Sequence, residues 1–111
     1  MKHQDSRELS LDYIEIDAAQ MGALQKEKLT LIIDVRERHE VPVIDSEIFT
    51  QVPMSEFGAF LETDIQAENI VLLCQHGIRS VTAAKALLEK YGHTKKIYSL
   101  KGGIAKWRSH F

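Results

Sequence analysis

Val71-Leu72-Leu73-Cys74-Gln75-His76-Gly77-Ile78-Arg79-Ser80 is the stretch on which the reading of the chain turns. An apolar run ends at the only cysteine among 111 residues, and a short loop holding Gly77 follows. From Ser80 onward Val81, Ala84, Leu87, Leu88 and Tyr91 recur at helical spacing, and Gly92 is placed to close that helix as its C′ residue. The order is therefore buried strand, tight loop, helix, with a thiol at the junction. A thiol there faces backbone N–H groups and the positive end of a helix dipole. Both favour the thiolate, the reactive form of cysteine.

Working outward, the flanking chain alternates strands with helices. Residues 1–8 are polar and read as a flexible tail, leaving residues 9–111 as one domain. A short strand is expected near 12–16, and Asp17 is a good N-cap for a helix carrying Met21 and Leu24 on one face. Leu29-Thr30-Leu31-Ile32-Ile33-Asp34-Val35 reads as a strand buried on both faces. Arg36-Glu37-Arg38-His39-Glu40 then reads as a charged, exposed turn, and Pro42 argues against a central strand after it. Ile48 to Val52 forms a plausible short strand ending at Pro53. Ser55 is expected to cap a helix with Phe57, Phe60 and Leu61 on one side. Asn69 precedes the strand Ile70 to Cys74, Lys96 to Leu100 makes another strand, and Gly102-Gly103 turns into a last short helix with Ile104 and Trp107. Such alternation implies an α/β fold on a largely parallel sheet, whose functional crevice lies beyond the carboxyl ends of the strands. Cys74 sits at one of those ends.

Bulk composition removes several function classes. Fourteen basic against sixteen acidic residues give a formal charge of −2, so there is no electrostatic case for nucleic acid or an anionic membrane. The N-terminal stretch lacks the apolar run of a signal peptide, and no segment approaches transmembrane length. One cysteine excludes an internal disulfide framework and a multi-cysteine metal site. The expected compartment is the cytoplasm, where a free thiol stays reduced. No metal and no cofactor are expected.

The chemistry narrows by elimination. A loop of this length can aim successive N–H groups at the sulfur as an anion nest, with Gly77 free to take positive φ. Arg79 supplies a fork able to grip an oxyanion, and a cation at a helix N-terminus, unfavourable in itself, suggests an anion nearby. His76 offers a further donor. Acyl transfer needs a placed histidine base, which the spacing of the histidines does not nominate, and a dithiol mechanism needs a second cysteine. What remains is chemistry that one thiolate performs alone: accepting a sulfur atom as a persulfide, or accepting a phosphoryl group.

Four blocks now stand in register: Asp34-Val35-Arg36-Glu37 after an apolar strand, the Cys74 to Ser80 loop, Ala83-Ala84 with Leu87 and Tyr91-Gly92, and Leu100-Lys101-Gly102-Gly103-Ile104 with Trp107. Together, from about Leu29 to Trp107, they resemble a single-domain rhodanese, a sulfurtransferase that carries sulfane sulfur on a cysteine. The resemblance implies a three-layer α/β/α sandwich on a five-stranded, mainly parallel sheet of strand order 3-2-4-5-1. It also implies a sulfur donor such as thiosulfate, a thiol or cyanide acceptor, and a sulfur-relay protein as a further partner. The family's active loop runs six residues from the cysteine, as Cys74 to Arg79 does, whereas related phosphatases have one more. That length favours sulfur over phosphate or arsenate.

On this reading Cys74 is the nucleophile, and Gln75, His76, Gly77, Ile78, Arg79 and Ser80 form the anion-binding loop, mostly through backbone donors. Asp34 is expected to accept loop N–H bonds, Arg36 to pair with a carboxylate, and Gly102 and Gly103 to let the last loop approach the active one. The stretch Ile44 to Pro53 departs from the family, which places a glycine-containing segment there. A non-catalytic persulfide carrier or interaction module, docking through that stretch, is the alternative.

Overall fold

The computed structural model describes residues 12–44 and 47–110, with side chains described as far as Trp107. The proposed tail over residues 1–8 lies outside the described residues. The elements are β1 (Ile14–Ile16), α1 (Ala18–Gln25), β2 (Thr30–Asp34), β3 (Thr50–Gln51), α2 (Met54–Leu61), β4 (Asn69–Leu73), α3 (Arg79–Tyr91), β5 (Lys96–Leu100) and α4 (Gly103–His110). The five strands are ordered β3-β2-β4-β5-β1, the order the resemblance implies. Every pairing is parallel, including the two edge strands.

The sheet is covered on both faces, which is why its central strands read as continuous apolar runs. Ile70 and Leu72 of β4, Ile33 of β2 and Ile97 of β5 pack with Phe57 of α2 and Ala83, Ala84 and Leu87 of α3. Their neighbours Val71, Leu73 and Ile32 turn to the opposite face, against Met21 and Leu24 of α1 and Ile104 of α4. The two-residue alternation thus feeds two cores at once, and each fully buried aliphatic side chain contributes about 1.5–3 kcal/mol.

Local signals explain most boundaries. Asp17 and Gln20 form a capping box on α1, each side chain accepting the other's backbone N–H at 2.8 Å. Gly92, at φ 57°, ends α3 where a residue with Cβ would be strained.

Three expectations need correction. Ser55 does not cap α2: the cap position is Pro53 and lacks a side-chain bond. Instead Glu37, from the loop after β2, accepts from the Ser55 N–H at 3.0 Å and its hydroxyl at 2.8 Å. An acid supplied from elsewhere satisfies the helix start, and no local pattern reports it. The strand expected from Ile48 to Val52 shrinks to Thr50–Gln51 because only these two residues pair with β2, and Phe49 before them is buried against Trp107, with ring centroids 5.5 Å apart. The turn after β2 is not exposed throughout, since Arg36 is 2% exposed. No helix of the described residues is long and apolar enough to cross a membrane.

Candidate active site

Parallel pairing sends all five strand C-termini to one edge, and the site is built there. β4 ends at Leu73, whose carbonyl accepts the Val35 N–H at 2.9 Å, so the segments after β2 and β4 leave the sheet side by side. Cys74 follows at once and is 1% exposed.

The loop then folds back around its own first side chain. The N–H of Gly77 reaches the Cys74 sulfur at 3.2 Å, and the N–H of Ser80, in the first turn of α3, reaches it at 3.3 Å. The Ser80 hydroxyl lies 3.6 Å from the same sulfur, and 2.8 Å from the hydroxyl of Ser99 on β5. Burial, the largest single influence, pushes the thiol up. The Ser80 N–H and hydroxyl, with the N–H groups of Gly77 and His76, outweigh it, and Cys74 ends below the ordinary thiol value. The sulfur sits in a cradle of donors that favour its thiolate form.

The carbonyls on the loop's other side are held as well. Ile104 N–H donates to the Cys74 carbonyl at 2.8 Å, and Ala105 N–H donates to the Gln75 carbonyl at 3.1 Å. These are free donors of the first turn of α4, and they fix the peptide planes so that later N–H groups face the sulfur. Contact this close explains the glycines. A Cβ on Gly103, at φ +66°, would lie 2.4 Å from the Cys74 carbonyl oxygen; one on Gly77, at φ +87°, would lie 2.9 Å from the Gly102 nitrogen.

Beneath the loop lies the Asp34–Arg36 pair. The Asp34 carboxylate accepts from the Arg36 backbone N–H at 3.0 Å, from Nε at 3.1 and 3.2 Å, and from Nη2 at 3.0 Å. Nη1 of Arg36 donates to Gln75 Oε1 at 3.3 Å, tying the pair to the active loop. Asp34 accepts one loop N–H, that of Arg36, and the carboxylate that Arg36 pairs with is Asp34 itself. Gln75, expected to act through its backbone, contributes its side chain to this brace, and Ser80 adds its hydroxyl to the N–H it gives the sulfur.

Arg79 stands differently. Its Nη1 and Nη2 donate to the two oxygens of Glu40 at 2.6 and 2.8 Å. That grip is the main reason the Glu40 carboxyl is held down at about 2, against the opposing effect of burial. The anion that a cation at this helix start calls for is therefore one the chain itself supplies. His76 and Ile78 point to solvent, and neither side chain enters the cradle. Beside the loop a cavity of about 50 Å³ is lined by Arg36, Glu40, Val43, Ile44 and Phe49, among others. It puts part of the divergent 44–53 stretch at the site's edge. Among the described residues, no cluster of three or more His, Cys, Asp or Glu side chains could hold a metal ion.

Sequence reasoning missed Ser99, Glu40 and the two α4 donors. Ser99 carried a faint signal, since it lies two residues from the buried Ile97 and so on the same face of β5.

The model of the rhodanese-like domain matches residues 17–110. A thiosulfate sulfurtransferase GlpE of Actinobacillus pleuropneumoniae is 25% identical, over 89% of this chain and 90% of its own. A tRNA uridine(34) hydroxylase of Prochlorococcus marinus is 32% identical over 83% of this chain, which spans only 32% of that protein. The solved rhodanese-related protein of Thermoplasma volcanium superposes with a TM-score of 0.66 at 27% identity, covering 88% of this chain and 93% of that one.

Proposed function

The chain belongs to the rhodanese-like domain family, and from that premise we propose that it is a sulfurtransferase moving sulfane sulfur through a Cys74 persulfide. One observation carries the reading: a buried sulfur receives the Gly77 and Ser80 N–H groups at 3.2 and 3.3 Å inside a six-residue loop. With thiosulfate as donor, the Cys74 thiolate attacks the outer sulfur. The S–S bond breaks, both its electrons leave with sulfite, and a persulfide anion remains on Cys74. The donors that held the thiolate are placed to hold that anion. A thiol or cyanide acceptor then attacks the outer sulfur, takes it away and returns the thiolate. Transfer in two half-reactions gives ping-pong kinetics. The reading also carries the cytoplasmic setting, in which the thiol stays reduced.

Intact mass after exposure to thiosulfate tests it. One added sulfur is expected on the wild type and none on Cys74→Ala; a wild type that gains nothing from any sulfane donor overturns the proposal.

A second reading, a carrier loaded and unloaded by a partner protein, is supported by the 1% exposure of Cys74. The hydroxylase relative, in which the matched part is about a third of the chain, adds a case of such a domain inside a larger protein. Negligible turnover with small donors, alongside loading by a protein persulfide, would select it.

A further inference from the structure

Three arginines surround the site and the cavity beside it, and each already faces a carboxylate. Arg36 is paired with Asp34 at 3.0 Å, Arg79 with Glu40 at 2.6 Å, and Arg38 with Glu56. Glu37, adjacent to both Arg36 and Arg38, adds another acid, engaged with Ser55. A small dianion that is to be gripped by Arg79, the arginine of the Cys74 loop, therefore has to displace Glu40 from it. A bidentate, charge-assisted pair is among the stronger polar contacts, so the displacement carries a real cost.

The rim has the opposite character. Val41 and Ile78, chain neighbours of Glu40 and Arg79, are each 74% exposed, and Val43, in the cavity lining, is 82% exposed. These are the three most exposed large hydrophobic residues among those described.

We propose that Glu40 is a specificity-determining residue: by occupying Arg79 it turns the site away from inorganic dianions and toward donors whose outer sulfur is borne by a less charged, apolar group. The inference rests on the persulfide reading above and names the donor class for it. The bond chemistry is common to both classes. The Cys74 thiolate bonds to the donor's outer sulfur, the S–S bond breaks, and its electron pair departs with sulfite from thiosulfate or with a sulfinate from an organic thiosulfonate.

The probes are thiosulfate, a dianion, and benzenethiosulfonate, a monoanion with an apolar ring, which delivers the same outer sulfur. Initial rates of Cys74 persulfide formation, read by intact mass on quenched samples, are compared as a ratio between donors. Glu40→Gln keeps the size of the side chain and frees Arg79. It should raise the thiosulfate rate relative to benzenethiosulfonate about tenfold, the scale of one charge-assisted hydrogen bond. Arg79→Ala in the Glu40→Gln background should abolish that gain, whereas Arg79→Ala alone, which leaves the Glu40 carboxylate without its counter-charge, should move the donor ratio further toward benzenethiosulfonate. Val43→Ser should slow benzenethiosulfonate several-fold more than thiosulfate. An unchanged donor ratio in Glu40→Gln overturns the inference. So does a Glu40→Gln protein that loads from neither donor while the wild type loads from both, because the pair would then only support the loop. A wild type loaded by neither donor is a different result, which sinks the persulfide reading itself.

Discussion

The hydroxyls of Ser80 and Ser99 lie 2.8 Å apart in the interior, joining the first turn of α3 to β5 directly behind the Cys74 sulfur. When Cys74 is a thiolate, Ser80 donates to sulfur and Ser99 can donate to Ser80, so the pair supplies a proton donor aligned from the core. Ser80→Ala removes the donor to sulfur and should raise the thiol's pKa toward the ordinary value. Alkylation of Cys74 by a small neutral reagent at neutral pH should slow about fivefold, the scale of one hydrogen bond of about 1 kcal/mol. Ser99→Ala, acting one bond further away, should slow it less. Equal rates in all three proteins would remove the hydroxyls from the account.

Because the groups around Cys74 lower its pKa in the folded protein, persulfide loading should reach half its maximal rate at a lower pH than the reaction of a free cysteine peptide with the same donor. The same depression stabilises the folded state at pH values above the unfolded thiol's pKa, and that contribution is lost as pH falls through the folded one. A pH–rate profile centred at or above the value of a free cysteine peptide would contradict the cradle.

The Glu40 carboxyl sits at about 2 in the folded chain against an ordinary 4.5. The folded state therefore binds fewer protons than the unfolded one through this window. The ion pair's stabilisation is fully present above about pH 4.5 and is lost as pH falls toward about 2. Urea unfolding should place Glu40→Gln about 1 kcal/mol below the wild type at neutral pH, the scale of a partly exposed ion pair. That gap should close progressively across the same window. A constant gap would assign the loss to packing.

Asp34→Asn keeps the shape of the side chain but leaves the Arg36 guanidinium buried without its counter-charge. The expected cost is about 3–5 kcal/mol in chemical denaturation. A loss under about 1 kcal/mol would mean that the chain relaxes to admit water around Arg36.

Gly103→Ala introduces a methyl 2.4 Å from the Cys74 carbonyl oxygen at a backbone φ of +66°. It should lower thermal stability and slow sulfur loading together, since the clash falls on the loop that cradles the sulfur. Wild-type loading in this variant would show that the loop tolerates displacement.

How far the chain could be read from its residues depends on the distance over which each contact acts. β2, β4 and β5 were legible because burial on two faces leaves a contiguous apolar signature, and α1 because its cap and box lie within four residues. Cys74 was legible from its junction and from the order of the blocks around it. Glu37 over α2 and Glu40 on Arg79 were not, since each acts across 18 or 39 residues. A carboxylate in a charged turn looks the same whether it faces water or a guanidinium. Arg36 misled for the same reason: its burial is decided by Asp34 and Gln75 together, and only one of them is local.

The bonds from Ile104 and Ala105 to the Cys74 and Gln75 carbonyls have a consequence for timing. The carbonyls at the start of the Cys74 loop are held by a helix that follows them in the chain, so their anchoring waits until α4 has been made and has docked. The shape of the loop is thereby coupled to the docking of the last helix: opening α4 releases the carbonyls on one side of the cradle as well.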